Sequence, residues 1–239
     1  GVGIFVAGGT VTLHNCNIYS NQAKASFGGG VYINDGTVTL NNCDIYSNTA
    51  INGGGGNIKS GKVTLNNCNI RNNVNQGGAS NWGGGVYISG SSTSVTFTSC
   101  NIHNNKAYGF GGGVIIAGGT LTLNSCDIYS NIATNYGGSV YITGSSTSVT
   151  FQSCQIYSNT ASYSGAGVSI NHGTVTVNNC GIYSNNAGSG GGVHVSAGTV
   201  TLNSCDIYSN TASNDVGSNI YVQSGSVCAF PSAPTFSGV

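Results

Sequence analysis

Carboxylates, imidazoles and thiols are the side chains that most readily carry chemistry, and here they are sparse. The 239 residues hold five Asp and no Glu. Asp44, Asp127 and Asp206 each follow a Cys directly, but they recur only in every third repeat of the chain. Stacked as parallel strands, that places them roughly 14 Å apart. Two carboxyls that share a glycosidic bond must sit about 5–9.5 Å apart, so no hydrolytic pair is expected. Asp35 and Asp215 read as isolated turn residues. His14, His103, His172 and His194 fall at unlike places in the repeat and lack metal-ligand spacing. The Gly runs lack the G-x-x-x-x-G-K-S/T pattern of a phosphate loop. Lys59, Lys62 and Arg71 lie close in sequence and read as a solvated patch, and Trp82 reads as a loop-packing residue. The chain is therefore read as a non-enzyme with no cofactor and no metal.

The remaining constellation is polar but not ionisable. A T-x-T unit recurs in eight places. Its second position is Thr12, Thr39, Thr64, Thr96, Thr122, Thr150, Thr176 and Thr201, Thr every time. Its first position is Thr10, Thr37, Lys62, Ser94, Thr120, Ser148, Thr174 and Thr199. If these units are strands in register, the two ranks form a grid spaced about 4.8 Å along the stack and about 6.5–7 Å across it. Thr is stiff at χ1, so such a grid is preorganised, with methyls resisting ordinary hydration and hydroxyls anchoring waters. Threonine also suits any solvent-facing strand, and duplication of repeats copies residues without selection.

The elements that must position this grid follow from the repeat. Cys-x-Ile-x-x-Asn recurs at Cys16, Cys43, Cys68, Cys100, Cys126, Cys154, Cys180 and Cys205. Neighbouring Cys lie 25 residues apart at the least (43 to 68) and 32 at the most (68 to 100). A fixed period in this range means a solenoid. In the second repeat Val31 and Ile33 alternate with outward Tyr32, and Asn34-Asp35-Gly36 turns the chain. Val38 and Leu40 then point inward between threonines. Asn41-Asn42 shifts the phase, so Cys43 and Ile45 become the inward pair, and Asn48 reaches a corner where its amide can bond to equivalents above and below. Three short strands and three corners are expected per coil, with Gly-Gly-Gly runs at a sharp bend in positive φ. Eight of the nine Cys hold one equivalent position and read as a reduced, buried ladder of small apolar groups.

These motifs resemble a known family. GGGVYI and I-Y-S-N look like the GG-x-I and F-x-x-N repeats of polymorphic outer-membrane proteins and autotransporter-like passengers, which are right-handed parallel β-helices. The resemblance spans roughly residues 1–222 and implies an all-β, three-sided β-solenoid of eight to nine coils. The T-x-T face resembles that of β-solenoid antifreeze proteins, which implies adsorption to ice or ordered water through the two ranks. Both resemblances imply a secreted or cell-surface protein. The rival reading is a structural or adhesive module, a surface passenger or a filament protomer. Its open strand edges would invite end-to-end self-association.

Composition narrows the partners. Charged residues make up 4% of the chain and the formal net charge is zero, which argues against nucleic acid, whose binding needs a basic footprint. No run approaches the 18 apolar residues of a membrane span, so no membrane insertion is expected. Residues 1–222 are read as the repeat domain and 223–239 as a C-terminal cap or tail. The opening inside a repeat, without Met or a visible leader, fits a mature form or a fragment.

Overall fold

The computed structural model describes residues 1–78, 80–230 and 235–237. They form an all-β solenoid of parallel strands, with no helix among the described residues. Three nine-stranded sheets and one eight-stranded sheet run along its length, and each strand pairs with its equivalents one coil away. Sheet 1 contains Val31–Ile33 and its equivalents, sheet 2 the T-x-T strands such as Thr37–Asn41, and sheet 3 the Cys-x-Ile strands such as Asp44–Tyr46.

Sheet 4 adds a side to the three that the sequence suggested. It is built from short strands such as Thr49–Asn52 and Lys106–Ala107 that follow the Asn corner. Its inward column is Ala23, Ala50, Asn75, Ala107, Ala133, Ala161, Ala187 and Ala212, all buried. Small side chains let this narrow side close on the core.

The interior is a set of ladders. Val38 stacks under Val63, Leu40 under Leu65 and Ile45 under Ile70, each in register. The inserted turns of the fourth and sixth coils lie between sheets 1 and 2 and do not disturb the pairing. Buried Thr93 ties one of them down, its Oγ1 donating to the carbonyls of Ser89 (2.6 Å) and Lys59 (3.1 Å).

The bends on either side of sheet 3 fall on residues in the left-handed region. Asn42 (φ 54°) and Ser47 (φ 55°) are typical, and Asn or Ser holds the equivalent places throughout. Asn adopts this conformation at little cost because its amide bonds locally. Rotating the chain there is what moves Cys43 and Ile45 inward after Leu40. Of the Gly run, only Gly28 takes positive φ (65°). Gly30 is needed for a different reason: a Cβ there would lie 2.6 Å from the Gly55 carbonyl and 2.9 Å from Asn48 Nδ2.

The Asn corner is a continuous hydrogen-bonded column. Asn48 Nδ2 donates to Asn73 Oδ1 (3.1 Å) and to the Ile18 carbonyl (2.8 Å). The pattern continues through Asn73, Asn105, Asn131, Asn159 and Asn185 to Asn210, which donates to Asn219 (3.0 Å). Buried amides are costly unless paired, and here each is paired by its neighbours.

All nine thiols are free. Seven are buried, Cys16 is half-buried and Cys228 is exposed. Burial pushes the Cys43 and Cys205 thiols up. At the C-terminus Ser226–Phe230 pairs in register with Thr199–Asn203, and Thr235–Ser237 with Asp206–Tyr208, as rungs of a partial ninth coil. Pro231 to Pro234, read as part of a cap, lie outside the described residues.

Candidate functional site: the threonine face

The T-x-T strand is held rigidly from behind. Its two inward residues, Val38 and Leu40 in the second coil, are each 1% exposed. Such anchors leave the alternate residues no freedom to turn inward. Pairing runs Thr10↔Thr37, Lys62↔Thr37, Lys62↔Ser94, Ser94↔Thr120 and onward to Thr174↔Thr199, with no bulge. The inner rank runs in the same way from Thr12 to Thr201. The structure thus brings all fifteen candidate residues to one side of one sheet.

Thr10, Thr37, Thr120, Ser148, Thr174 and Thr199 are exposed and Ser94 is half-buried. In the inner rank Thr12 is exposed, while Thr39, Thr64, Thr96, Thr122, Thr150, Thr176 and Thr201 are half-buried. Among the described residues the inner-rank hydroxyls have no hydrogen-bond partner in the protein, so they are left to water. The outer rank is more mixed. Thr120 Oγ1 lies 3.5 Å from the Thr93 carbonyl, and Ser226 Oγ donates to Thr199 Oγ1 (3.4 Å). Lys62 is the one charge in either rank.

A third outward column escaped the sequence reading. His14, Asn41, Asn66, Thr98, Asn124, Gln152, Asn178 and Asn203 continue the alternation one step past the inner Thr. The strands are five residues long, so the face is three columns wide. Its amides pair with one another where they can: Asn66 Nδ2 donates to Asn41 Oδ1 (2.9 Å) and Asn203 Nδ2 to Asn178 Oδ1 (2.7 Å). The signal was present in the sequence as T-x-T-x-N.

The adjoining sheet 3 face differs in chemistry. Its outward column three residues after each Cys of the Cys-x-Ile motif carries an aromatic or imidazole ring on every rung but the third, where Arg71 stands. Tyr19 stacks on Tyr46 (centroids 4.9 Å apart), and the Arg71 guanidinium lies 4.2 Å over Tyr46 while pairing with Asp44 at 2.7 Å. His103 then begins a stack through Tyr129, Tyr157 and Tyr183 to Tyr208, with steps of 4.6 to 5.2 Å. Offset aromatic contacts of this kind stabilise by about 0.5–1.5 kcal/mol each.

The other candidate groups remain dispersed. Asp44 pairs in register with Asn69, Asp127 with Asn101 and Gln155, and Asp206 with Gly181. Each of the three thus has a non-carboxylate neighbour on the rung. Lys59 follows the sheet 1 strand Gly56–Ile58, Lys62 opens the sheet 2 strand Lys62–Asn66 and Arg71 ends the sheet 3 strand Asn69–Arg71. No three of His, Cys, Asp or Glu among the described residues could hold a metal ion together. His194, nominally outward on sheet 1, is buried, and burial holds its imidazole below the ordinary range.

A family model described as the right-handed β-helix region matches residues 1–131. The chain belongs to the right-handed β-helix family. Searches among curated proteins and among solved structures returned no match. The β-helix family contains non-catalytic structural proteins and also some enzymes, so membership alone leaves the activity of this β-helix open.

Proposed function

We propose that this β-helix is an ice-binding protein that adsorbs to ice through the threonine face, without catalysis and without a cofactor. The observation that carries the reading is the pair of ranks in unbroken register over eight rungs, with the inner hydroxyls free of partners among the described residues. Hydrogen bonding within a protein would spend those hydroxyls; here they face solvent at repeating positions. Beside each hydroxyl sits a γ-methyl that cannot bond to water, so hydration is directed to fixed sites. Because β-branched side chains hold few rotamers, ordering the grid against a solid surface loses little entropy. The sheet 3 face offers the contrast. Its aromatic rings stack on one another and present flat apolar surface in place of a polar grid.

The resemblance to T-x-T antifreeze solenoids agrees with this reading, and a secreted or cell-surface protein is the location we propose with it. Thermal hysteresis and ice-crystal shaping by the purified chain test it. Freezing-point depression without a matching melting-point shift, together with faceted crystals, is expected. Absence of both at millimolar protein would overturn the proposal.

A further inference from the structure

Away from the threonine face, a second surface feature runs along sheet 1. The last residue before each Gly bend forms a rim: Phe27, Asn52, Trp82, Phe110, Tyr136, Ser164, Ser189 and Val216. Backbone pairing links Phe27 to Asn52, Trp82 to Phe110, Tyr136 to Ser164, Ser164 to Ser189 and Ser189 to Val216. Five residues later the chain reaches the outward column of sheet 1. Each rung therefore sets a rim residue beside a sheet residue, Phe27 with Tyr32 and Trp82 with Tyr87. In mid-molecule Phe110, Tyr136 and Tyr141 pack together and fill the angle between the two columns.

The angle is open where a rung lacks rings. The Asn52–Asn57 rung lies between the Phe27–Tyr32 rung and the Trp82–Tyr87 rung, and a cleft of about 340 Å³ opens there. Sites for small ligands start at about this size. Two rungs of spacing put the aromatic walls about 10 Å apart. Asn57 lines the cleft and is 3% exposed as a residue, and among the described residues its amide has no hydrogen-bond partner, although neither amide atom is sealed from solvent. Its donor and acceptor are thus left to whatever occupies the cleft, water or the hydroxyls of a ligand. The Trp82 backbone N–H donates to Asn52 Oδ1 (2.7 Å), and its ring packs edge-on against Tyr87 with centroids 5.3 Å apart. Lys59 stands at the edge, its Nζ donating to Asn34 Oδ1 (3.3 Å).

We propose that this cleft binds one pyranose ring of a glycan chain, with the apolar ring faces against the aromatic walls and adjacent hydroxyls on the Asn57 amide. An amide offers a donor and an acceptor side by side, which suits vicinal hydroxyls, each both donor and acceptor. A flat heterocycle sandwiched at van der Waals contact needs walls only about 7–8 Å apart, so the wider gap suits a puckered saturated ring. Among the described residues no carboxylate lines the cleft, so a bound sugar would be held and not hydrolysed.

Trp82 is the sole tryptophan of the chain, so its fluorescence reports this cleft directly. The experiment titrates the whole protein with cellohexaose, maltohexaose and a galacturonate hexamer, with adenosine monophosphate as the flat-ring probe. A saturable change with at least one hexasaccharide, at about millimolar affinity, is expected. The Asn57→Ala variant should weaken it about tenfold, the equivalent of one lost hydrogen bond, with an unchanged circular dichroism spectrum. Acid against neutral hexamers shows whether Lys59 selects a uronate. Three results would each overturn the proposal: no saturable change with any hexasaccharide to about 20 mM (about −2.3 kcal/mol at that limit), equal affinity in the variant, or a stronger response to the nucleotide. A Thr122→Tyr variant should bind sugar as the parent does, so failure here and failure of the ice reading remain separate.

Discussion

Replacing Asn131 by Ala tests what holds the solenoid together. Asn131 is fully buried. Its Oδ1 accepts from the Asn105 backbone N–H and from Asn105 Nδ2, both at 3.0 Å, and its Nδ2 donates to the Ile102 carbonyl (2.8 Å) and to Asn159 Oδ1 (3.1 Å). Alanine removes all four bonds. The Asn105 N–H is left buried without a partner, which costs about 1–3 kcal/mol, and three further net hydrogen bonds at about 0.5–1.5 kcal/mol each add to it. The expected loss is thus about 2.5–7.5 kcal/mol. Asn21 provides the internal comparison. It donates to Asn48 Oδ1 (3.0 Å) at the more exposed end of the column, and among the described residues it accepts from no other Asn. Asn21→Ala should cost only about 1 kcal/mol. Urea unfolding followed by circular dichroism measures both, with equal slopes as the check that the unfolding reaction is unchanged. Equal losses in the two variants, or a loss under about 1 kcal/mol at Asn131, would refute the ladder as the stabilising feature of the corner.

Two other outcomes follow from burial. A thiol reagent added to the native protein should label Cys228 rapidly, with the seven buried thiols reacting only after denaturation; rapid labelling of most cysteines in native buffer would contradict the Cys ladder. His194 has an Nδ1 without a partner and stands between Tyr136 and Tyr221, so burial lowers its affinity for a proton. Its folded pKa lies below its unfolded value near 6.5. Above that value it contributes no pH dependence, and stability falls as pH drops through it, because the unfolded chain takes up the proton first. His194→Asn should flatten the urea-midpoint profile between about pH 7 and 5; an unchanged profile would show that another group sets it.

Much of this fold is legible in the sequence because interior ladders copy one residue type per coil. Cys43, Ile45 and Asn48 announce their places by recurrence, and alternation in Thr37–Asn41 separates inside from outside. Sheet 4 was not legible, because a Thr-Ala pair next to a Gly run carries too few inward residues to show a period of two. Arg71 interrupts the run of rings on sheet 3 in sequence, yet in space its planar guanidinium lies over Tyr46 as another ring would. Alternation also misleads on sheet 1. Asn57, Ile115, Ser169 and His194 sit at outward positions yet are buried. They lie in the angle between the rim and sheet 1, and only the tertiary arrangement of the Gly bend reveals that. The threonine face lies at the other extreme, where period, register and exposure agree.

The central claim is that this face meets ice. Thr122 is in the fifth rung, between Thr96 and Thr150, and a tyrosine there would raise a bulky ring in the middle of the grid without touching the core. The decisive measurement is thermal hysteresis of the parent and of Thr122→Tyr at matched concentration, with the unfolding temperature recorded for each. The account predicts hysteresis in the parent, most of it lost in the variant, and the same unfolding temperature. Hysteresis retained in full by a folded Thr122→Tyr protein would contradict it.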